Sequence, residues 1–326
     1  MSRFHSARAL LFSATITLFA GQAGAADQAP IAVDSARLLD DVRTLAAPEF
    51  AGRKTGTDGS RKAQAFLLSR FEALGLKHYG NSYVQPFSFT DNGKHGGKQA
   101  AKPTEYPNAA NLVGYFPGTS ASQRILLISA HYDHLGLRGD KMFPGADDNA
   151  SGVAAMLAMA AHFKAHPPEH TVVFAAFDGE ELGLRGARAF LAALPFPKQQ
   201  LAMNLNLDMV SHNDQNLIFA AGTHHYPGLK PLVEQVAKRS SVTVKLGHDI
   251  AKKGAEADDW TDSSDHGPFH AAGIPFLYFG VEDHPDYHAP SDTFEHINQA
   301  FFVKVAALLV DMAATLDQQL DSVKPR

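Results

Sequence analysis

The chain has 326 residues, of which 45% are hydrophobic and 19% charged, and its formal net charge is −5. This balance is typical of a globular protein, and the scattered Lys and Arg residues argue against a nucleic-acid-binding surface. The sequence contains no cysteine, which excludes disulfides and thiolate ligands, so a metal site would have to use His, Asp and Glu side chains.

The first 25 residues have the layout of a secretory signal peptide. Arg3 and Arg8 precede an apolar run over residues 9–20, and Ala-Gly-Ala follows at residues 23–25. The apolar run is shorter than the roughly 20 residues that a membrane-spanning helix needs. We therefore predict export to the periplasm or the medium with cleavage after Ala25, and no other segment that is long and apolar enough to span a bilayer.

Hydrophobic spacing predicts the helices and strands of the mature chain. From residue 124 onward they alternate, which predicts an α/β fold: a three-layer sandwich with a mostly parallel mixed sheet covered by helices on both faces. No repeat or linker divides it, and the polar residues 90–108 are predicted to form a surface excursion. Predicted helices cover residues 35–46, 60–74, 152–163, 186–194, 227–239 and 300–320; predicted strands cover 83–89, 124–130, 171–177, 201–207, 217–220 and 275–279.

Acidic and imidazole side chains follow three predicted strands at the point where each strand ends. HYDH (131–134), DGEE (178–181) and Asp208 occupy these positions, and two further polar clusters are PGADDNASG (144–152) and YHAPSDT (287–293). Ligands bind beyond the carboxyl ends of strands in open α/β sheets. Like charges gathered there repel each other unless a cation neutralises them, so the pattern favours a metal site.

Each cluster taken singly has a structural explanation. Asp147 or Asp148 could cap the following helix, and Glu180 with Glu181 could form a solvated first helical turn. A shared function is favoured because five independent coincidences would otherwise be needed at the same end of the sheet.

These stretches resemble the co-catalytic dizinc peptidases, a family that includes secreted bacterial leucine aminopeptidases, glutamate carboxypeptidase and glutaminyl cyclases. FDGEELGLRG at 177 and LDMV at 207 carry the resemblance together with HYDH, PGADDNASG and YHAPSDT, and AAPEFAGRKTGTDG at 46 and NLVGYFPG at 111 also fit. The resemblance covers nearly the whole mature chain. It implies one zinc peptidase domain over residues 26–326 behind the signal peptide.

The resemblance also implies a ligand set for two zinc ions per chain. His131 and Asp208 are expected to hold one ion, Glu181 and His288 to hold the other, and Asp147 to bridge both. It further implies that the peptide bond between residues 147 and 148 is cis.

Three more residues receive roles from the resemblance. Glu180 is expected to act as the general base, and Asp133 to hydrogen-bond the far nitrogen of His131 and fix its tautomer. Tyr287 matches a position whose hydroxyl can donate to the oxyanion, although a packed aromatic beside His288 explains it about equally well.

The implied function is a zinc-dependent exopeptidase that hydrolyses N-terminal amino acids from peptides with a free N-terminus. A hydroxide held by two zinc ions attacks, and Glu180 transfers the proton. The expected partners are peptide substrates, with no nucleic acid and no membrane once the signal is removed.

Three alternatives remain open. A cyclase-like member would use one zinc ion and no attacking water. A carboxypeptidase would need positive groups for the terminal carboxylate, and Arg185 and Arg188 are candidates, although a position on the helix face explains them better. A non-catalytic binding member is disfavoured because such a protein has no need for Glu180.

Several polar groups outside these clusters receive structural interpretations. Residues 264–266 (Ser-Asp-His) read first as a helix cap. The acidic stretch 256–262 around Trp260 is either a solvated loop or a rim that attracts a peptide's α-amine. The remaining imidazoles are expected on the surface or behind the ligands: His134, His212, His224 and His284.

Overall fold

An eight-stranded mixed sheet runs through the computed structural model, which describes residue 1 and residues 31–92, 103–250 and 258–324. Residues Ile31–Arg326 form one compact unit. The predicted signal peptide and its cleavage site lie outside the described residues. The strands of the sheet are β1 (Val84–Asp91), β2 (Thr104–Phe116), β3 (Ile125–His131), β6 (Thr171–Phe177), β7 (Leu201–Leu207), β8 (Leu217–Ala221), β9 (Thr243–Leu246) and β10 (Phe276–Gly280), while β4 (Gly136–Arg138) and β5 (Lys141–Phe143) form a separate hairpin.

The strands lie in the order β1-β2-β6-β3-β7-β10-β8-β9. β3 pairs in parallel with both β6 and β7, and β7 pairs in parallel with β10. β2 is antiparallel to β1 and β6, β8 is antiparallel to β10, and β9 is parallel to β8. The carboxyl ends of the four central strands β6, β3, β7 and β10 therefore meet at one edge of the sheet.

Helices cover both faces of this sheet. Alternate residues of β3 face opposite sides: Leu126 and Ile128 belong to the larger hydrophobic core, Ile125 and Leu127 to the smaller one. Phe190 and Phe269 bring two short helices onto the smaller core. The predicted three-layer α/β fold is confirmed. The helices are α1 (Ser35–Leu45), α2 (Asp58–Leu74), α3 (Gly152–Ala165), α5 (Lys230–Arg239) and α7 (Gln299–Gln318) on the larger core, and α4 (Arg185–Ala192) and α6 (His266–Ala271) on the smaller one.

The prediction that residues 90–108 form a surface excursion is partly wrong. Its residues 104–108 open β2, which pairs there with the end of β1, while residues 93–102 lie outside the described part of the chain. The first half of β2 is mostly exposed and only the second half is buried. An exposed, polar strand carries no burial pattern, which is why the sequence did not reveal it.

The closing helix α7 is the one described helix that is long and apolar enough to cross a membrane, with a mean hydropathy of 1.6 over its best window. The expectation that no such segment follows the signal peptide is therefore wrong by length and composition. Yet 61% of that window is buried within the protein. Phe302, Leu309 and Leu316 are fully buried in the larger core, so α7 is placed as a core helix.

Candidate metal centre

The sheet edge brings the predicted polar clusters into one open cleft of about 670 Å³. His131 is the last residue of β3, and Asp208 directly follows β7. Glu180 and Glu181 lie in the turn between β6 and α4, and His288 lies in the loop after β10. The acidic and imidazole side chains that line this cleft are His131, Asp148, Glu180, Glu181, Asp208, Asp262 and His288.

Asp148 lies between two groups of ligand-type atoms. Its Oδ1 is 3.3 Å from Nε2 of His131, which is itself 3.2 Å from Oδ1 of Asp208. Its Oδ2 is 3.1 Å from Nε2 of His288, which is 3.3 Å from Oε2 of Glu181. The Asp148 carboxylate therefore lies between two pairs of side chains. One pair comes from the ends of adjacent central strands and the other from two loops.

The prediction that Asp147 bridges these groups is wrong by one residue. Asp147 points away from the cleft, and its Oδ1 accepts hydrogen bonds from the backbone and hydroxyl of Ser211 and from the hydroxyl of Ser151. Its Oδ2 lies 3.0 Å from Nε2 of His284. The cis peptide bond is likewise one residue later, between Asp148 and Asn149.

The turn that places Asp148 spans Ala146–Ser151 ahead of α3, and its residues Asp148 and Asn149 have non-helical backbone angles. Asp292 anchors it, since its two carboxylate oxygens accept the backbone N–H groups of Asp147 and Asp148. Gly145 precedes the turn with φ 62°, and a Cβ there would overlap the carbonyl oxygen of Asp148 and the ring of His134. Glycine at this position thus follows from both its backbone angle and its surroundings.

Asp133 lies beside His131 as predicted, but its carboxylate is not what orients the ring. Nδ1 of His131 is 3.1 Å from the backbone carbonyl of Asp133 and 3.7 Å from its carboxylate. An Nδ1–H that donates to the carbonyl leaves Nε2 free to face Asp148 and Asp208. The Asp133 carboxylate instead accepts the backbone N–H of Glu180 at 3.1 Å and so holds the turn that carries both glutamates.

Tyr287 lines the cleft, and its ring stacks on His288 with centroids 4.0 Å apart. Burial and the nearby carboxylates of Asp148 and Asp208 raise the pKa of its hydroxyl far above the ordinary value. The hydroxyl therefore stays protonated and can donate a hydrogen bond into the cleft.

The cleft is crowded with negative charge. Burial, and then the carboxylates of Asp208 and Glu181, raise the pKa of Glu180 well above its usual range, against the opposing charge of His131. Burial lowers the pKa of His131, but the carboxylates of Asp208, Glu180, Asp133 and Asp148 together raise it by more, and the result is well above the usual value. The raised pKa values reflect an excess of negative charge in the cleft. A bound cation would neutralise that charge.

Two further buried residues lie beside the predicted ligands. The His134 side chain is fully buried, and its Nδ1 lies 2.8 Å from Oε1 of Glu181 and 3.5 Å from Oδ2 of Asp148. Asp265 does not cap α6 through its side chain, so the predicted cap is wrong. Its buried carboxylate makes no hydrogen bond within the described residues, and burial raises its pKa to about 8, with Asp133 and Asp208 adding to the shift and His131 opposing it.

Of the charged residues proposed to bind the termini of a peptide substrate, some line the cleft and others do not. Arg185 donates from Nε to the carbonyl of Leu182 and lies over the ring of Phe89, and neither it nor Arg188 lines the cleft. From the acidic stretch, Asp262 does line the cleft. Glu256 lies outside the described residues.

Comparison with known proteins identifies the family to which the chain belongs. The chain is 34% identical over 200 residues to aminopeptidase YwaD of Bacillus subtilis, a match that covers 58% of this chain and 40% of that protein. The chain thus spans less than half the length of that relative.

Two solved structures share the fold. A zinc aminopeptidase, BSAP, from Bacillus subtilis superposes with a TM-score of 0.66 at 18% identity, covering 86% of this chain and 94% of that one. A glutaminyl cyclase from Fimbriiglobus ruber gives a TM-score of 0.65 at 24% identity, covering 87% and 96%. The model of peptidase family M28 matches residues 111–313, more than half of the sequence. The chain therefore belongs to peptidase family M28.

Proposed function

We propose that this protein is a zinc-dependent aminopeptidase that holds two zinc ions in the cleft and removes N-terminal residues from peptides. The observation that carries the proposal is the position of Asp148, whose two carboxylate oxygens face two separate nitrogen and oxygen donor groups. Relatives and a structural neighbour named as zinc metalloprotease, aminopeptidase and zinc aminopeptidase support it.

The donor set fits zinc. The side chains that face one another offer only imidazole nitrogen and carboxylate oxygen, both of which zinc binds. Oε1 of Glu181 lies 2.8 Å from Nδ1 of the buried His134, and its Oε2 faces Nε2 of His288 at 3.3 Å. In the proposal His131 and Asp208 would hold one ion and Glu181 and His288 the other, and Asp148, rather than Asp147, would offer one carboxylate oxygen to each.

Glu180 is assigned the proton transfers. The chemistry that zinc would supply here is to polarise a peptide carbonyl and to make a bound water molecule more acidic. The Glu180 carboxylate accepts the proton of the attacking water and returns it to the leaving amine. Asp133 keeps this carboxylate in place through the Glu180 backbone N–H, and the Tyr287 hydroxyl donates to the oxyanion that develops on the carbonyl.

The charge of the cleft favours the N-terminal end of a peptide. Its described lining carries the carboxylates of Asp148, Glu180, Glu181, Asp208 and Asp262 and contains no Lys or Arg. Asp262, which the proposal leaves without a metal ion, can attract a protonated α-amine, and the described lining offers no Lys or Arg side chain to a C-terminal carboxylate. The carboxypeptidase alternative loses support because Arg185 and Arg188 lie elsewhere.

The fold alone does not separate hydrolysis from cyclisation, since a glutaminyl cyclase shares it. Two donor groups joined by Asp148 favour two ions over the one that the cyclase alternative uses.

Matched peptides test the proposal. The zinc-loaded protein is incubated with one peptide whose N-terminus is free or acetylated and whose C-terminus is free or amidated, and products are identified by mass. We expect successive N-terminal loss from both free-amine forms and none from the acetylated forms. C-terminal trimming, or loss of ammonia from an N-terminal Gln without hydrolysis, would replace the aminopeptidase with one of its alternatives.

A further inference from the structure

A second histidine-rich cluster lies on the far side of Asp147, outside the cleft. His212 follows the end of β7, and three more members lie in the loop between β10 and α7. Nδ1 of His212 and Nδ1 of His296 lie 3.9 Å and 3.4 Å from Oδ2 of Asp286. Ligand atoms of His212, His284 and Asp286 all lie within 4.8 Å of one another. Side chains that are distant in sequence are thus brought together in the manner of a metal site.

The two inner imidazoles have ligand atoms without other partners. Nδ1 of His212 and Nδ1 of His284 are buried and make no hydrogen bond to any described residue. The His284 side chain is only 7% exposed. Burying a polar nitrogen without a partner costs free energy, which a bound cation would remove.

Asp147 orients the His284 ring so that its Nδ1 atom can bind a metal ion. It accepts from Nε2 of His284 at 3.0 Å and is itself held by Ser211 and Ser151. A proton on Nε2 leaves the lone pair on Nδ1, which is the atom without a partner. A carboxylate that orients an imidazole in this way is the usual arrangement behind a metal-binding histidine.

We propose that His212, His284 and Asp286 form a third binding site for a divalent transition metal of the zinc type, with His296 as an outer fourth ligand. An imidazole-rich set with one carboxylate suits zinc rather than calcium or magnesium. Tetrahedral zinc at about 2.0–2.1 Å from each ligand places the ligand atoms about 3.3 Å apart, so a small contraction of the cluster suffices. The His212 and His284 rings, now stacked with centroids 3.7 Å apart, must tilt toward the ion.

The proposed ion joins the two segments that complete the cleft. His212 belongs to the segment that begins with Asp208, and His284 and Asp286 belong to the loop that carries Tyr287 and His288. Binding at the third site would hold these segments at a fixed spacing without taking part in the reaction.

Zinc analysis of one variant and its matched control tests this site. His212→Phe keeps a flat ring for stacking but removes both nitrogens. His166→Phe is the control, because His166 stacks on His162 on α3 in a similar pair 4.6 Å apart, away from the cluster. After equilibration at a buffered free zinc concentration, we expect His212→Phe to hold one zinc per chain fewer than the wild type and His166→Phe to hold the same number. The difference does not depend on how many ions the cleft binds or on whether the protein is a peptidase.

A second variant covers the case in which His212→Phe does not fold. His296 is about half exposed, so His296→Gln is expected to fold and to weaken the weakest zinc of the wild type at least tenfold in a calorimetric titration. Equal zinc content in wild type and folded His212→Phe would overturn the third site. An unchanged titration of His296→Gln would overturn its role as a ligand.

Discussion

Two adjacent carboxylates, Asp147 and Asp148, have opposite surroundings, and single substitutions should separate them. Asp148→Asn removes the one carboxylate that faces both donor groups. We expect kcat at saturating zinc to fall on the order of 10²-fold or more, since both ions lose a ligand. Asp147→Asn should leave kcat within about tenfold of wild type but lower the free energy of unfolding by roughly 2–3 kcal/mol, because Ser211, Ser151 and His284 lose a charged acceptor. Kinetics and urea denaturation measure both effects.

The reverse pattern, in which Asp147→Asn abolishes activity and Asp148→Asn does not, would return the bridging role to Asp147. Full activity in both variants would remove the dinuclear centre from the mechanism.

Glu180 and Glu181 provide a second test of neighbouring roles. Glu180→Gln keeps the volume of the side chain but cannot accept a proton, so zinc content should stay at the wild-type value while kcat falls by on the order of 10²–10⁴. Glu181→Gln replaces a charged ligand with a neutral one and should lose zinc, with activity partly restored by added metal. Zinc analysis beside kcat distinguishes the two, and exchanged phenotypes would mean that the roles are exchanged.

Four of the five residues predicted to ligate zinc, His131, Glu181, Asp208 and His288, lie in the cleft as expected. The positions of His131 and Asp208 follow from strand ends, which the hydrophobic pattern marks, whereas Glu181 and His288 lie in loops and were assigned through the family resemblance. Asp148 could not be separated from Asp147 because both belong to one turn, and the choice depends on the direction in which each side chain leaves that turn. Asp265 gave no signal for another reason: its burial is a property of packing between β7 and α6.

One buried arginine connects the elements that carry the site. Arg53 donates from Nε to the carbonyl of Tyr132 at the end of β3, from Nη1 to the carbonyls of Leu45 in α1 and Pro144, and from Nη2 to Gly145. Its side chain is fully buried, and burial lowers its pKa to about 10, a value at which it remains charged at neutral pH.

Arg53→Lys should therefore destabilise the protein even though it keeps the charge. A lysine offers three donors from one atom and cannot reach acceptors on three separate segments. We expect the free energy of unfolding to fall by about 3–5 kcal/mol, measured by urea denaturation. Arg61→Lys is the matched control, because Arg61 is exposed on α2 and pairs only locally with Asp58. It should change stability by less than about 0.5 kcal/mol, and a similar cost for both variants would contradict the role given to Arg53.

The first turn of α6 carries a pH-dependent contribution to stability. Burial lowers the pKa of His266 to about 3, although its Nε2 lies 2.6 Å from the carbonyl of Trp260. In the unfolded chain the pKa is near 6.5, so below that pH the unfolded state takes up a proton that the folded state does not. The stabilisation is complete above about pH 6.5 and is lost as the pH falls toward 3.

His266→Gln should remove this loss, since glutamine can donate to the same carbonyl but does not titrate. We expect the free energy of unfolding of the wild type to drop by about 3–5 kcal/mol more than that of the variant between pH 6.5 and pH 3. Parallel stability curves for the two proteins would show that His266 already titrates normally in the folded state.

The predicted elements from residue 124 onward reappear because they are buried and strongly patterned. β9 and the hairpin of β4 and β5 were missed because they are short and mostly exposed, and the alternation of β9 covers only four residues. The sequence thus indicates the elements that are buried in the core. It does not reveal short exposed strands whose formation depends on pairing with a neighbouring strand.

We propose that the whole chain is made as an exported precursor. The charged start and the apolar run predict a mature N-terminus at or near Ala26. Removing residues 1–25 takes away two positive charges and no negative ones, which shifts the formal net charge from −5 to −7. N-terminal sequencing and intact mass of protein recovered from the periplasm or the medium measure this directly. An intact Met1 on that material would contradict cleavage.

The position of β10 in the sheet determines how much of the chain must be synthesised before the cleft can be completed. β10 lies between β7 and β8, although 54 residues separate the end of β8 from its start. Until residue 280 has been synthesised, both neighbours keep an open edge, and His288 and the core helix α7 come later still. An incomplete chain therefore lacks part of the cleft. We expect a chain still under synthesis to show none of the proposed peptidase activity.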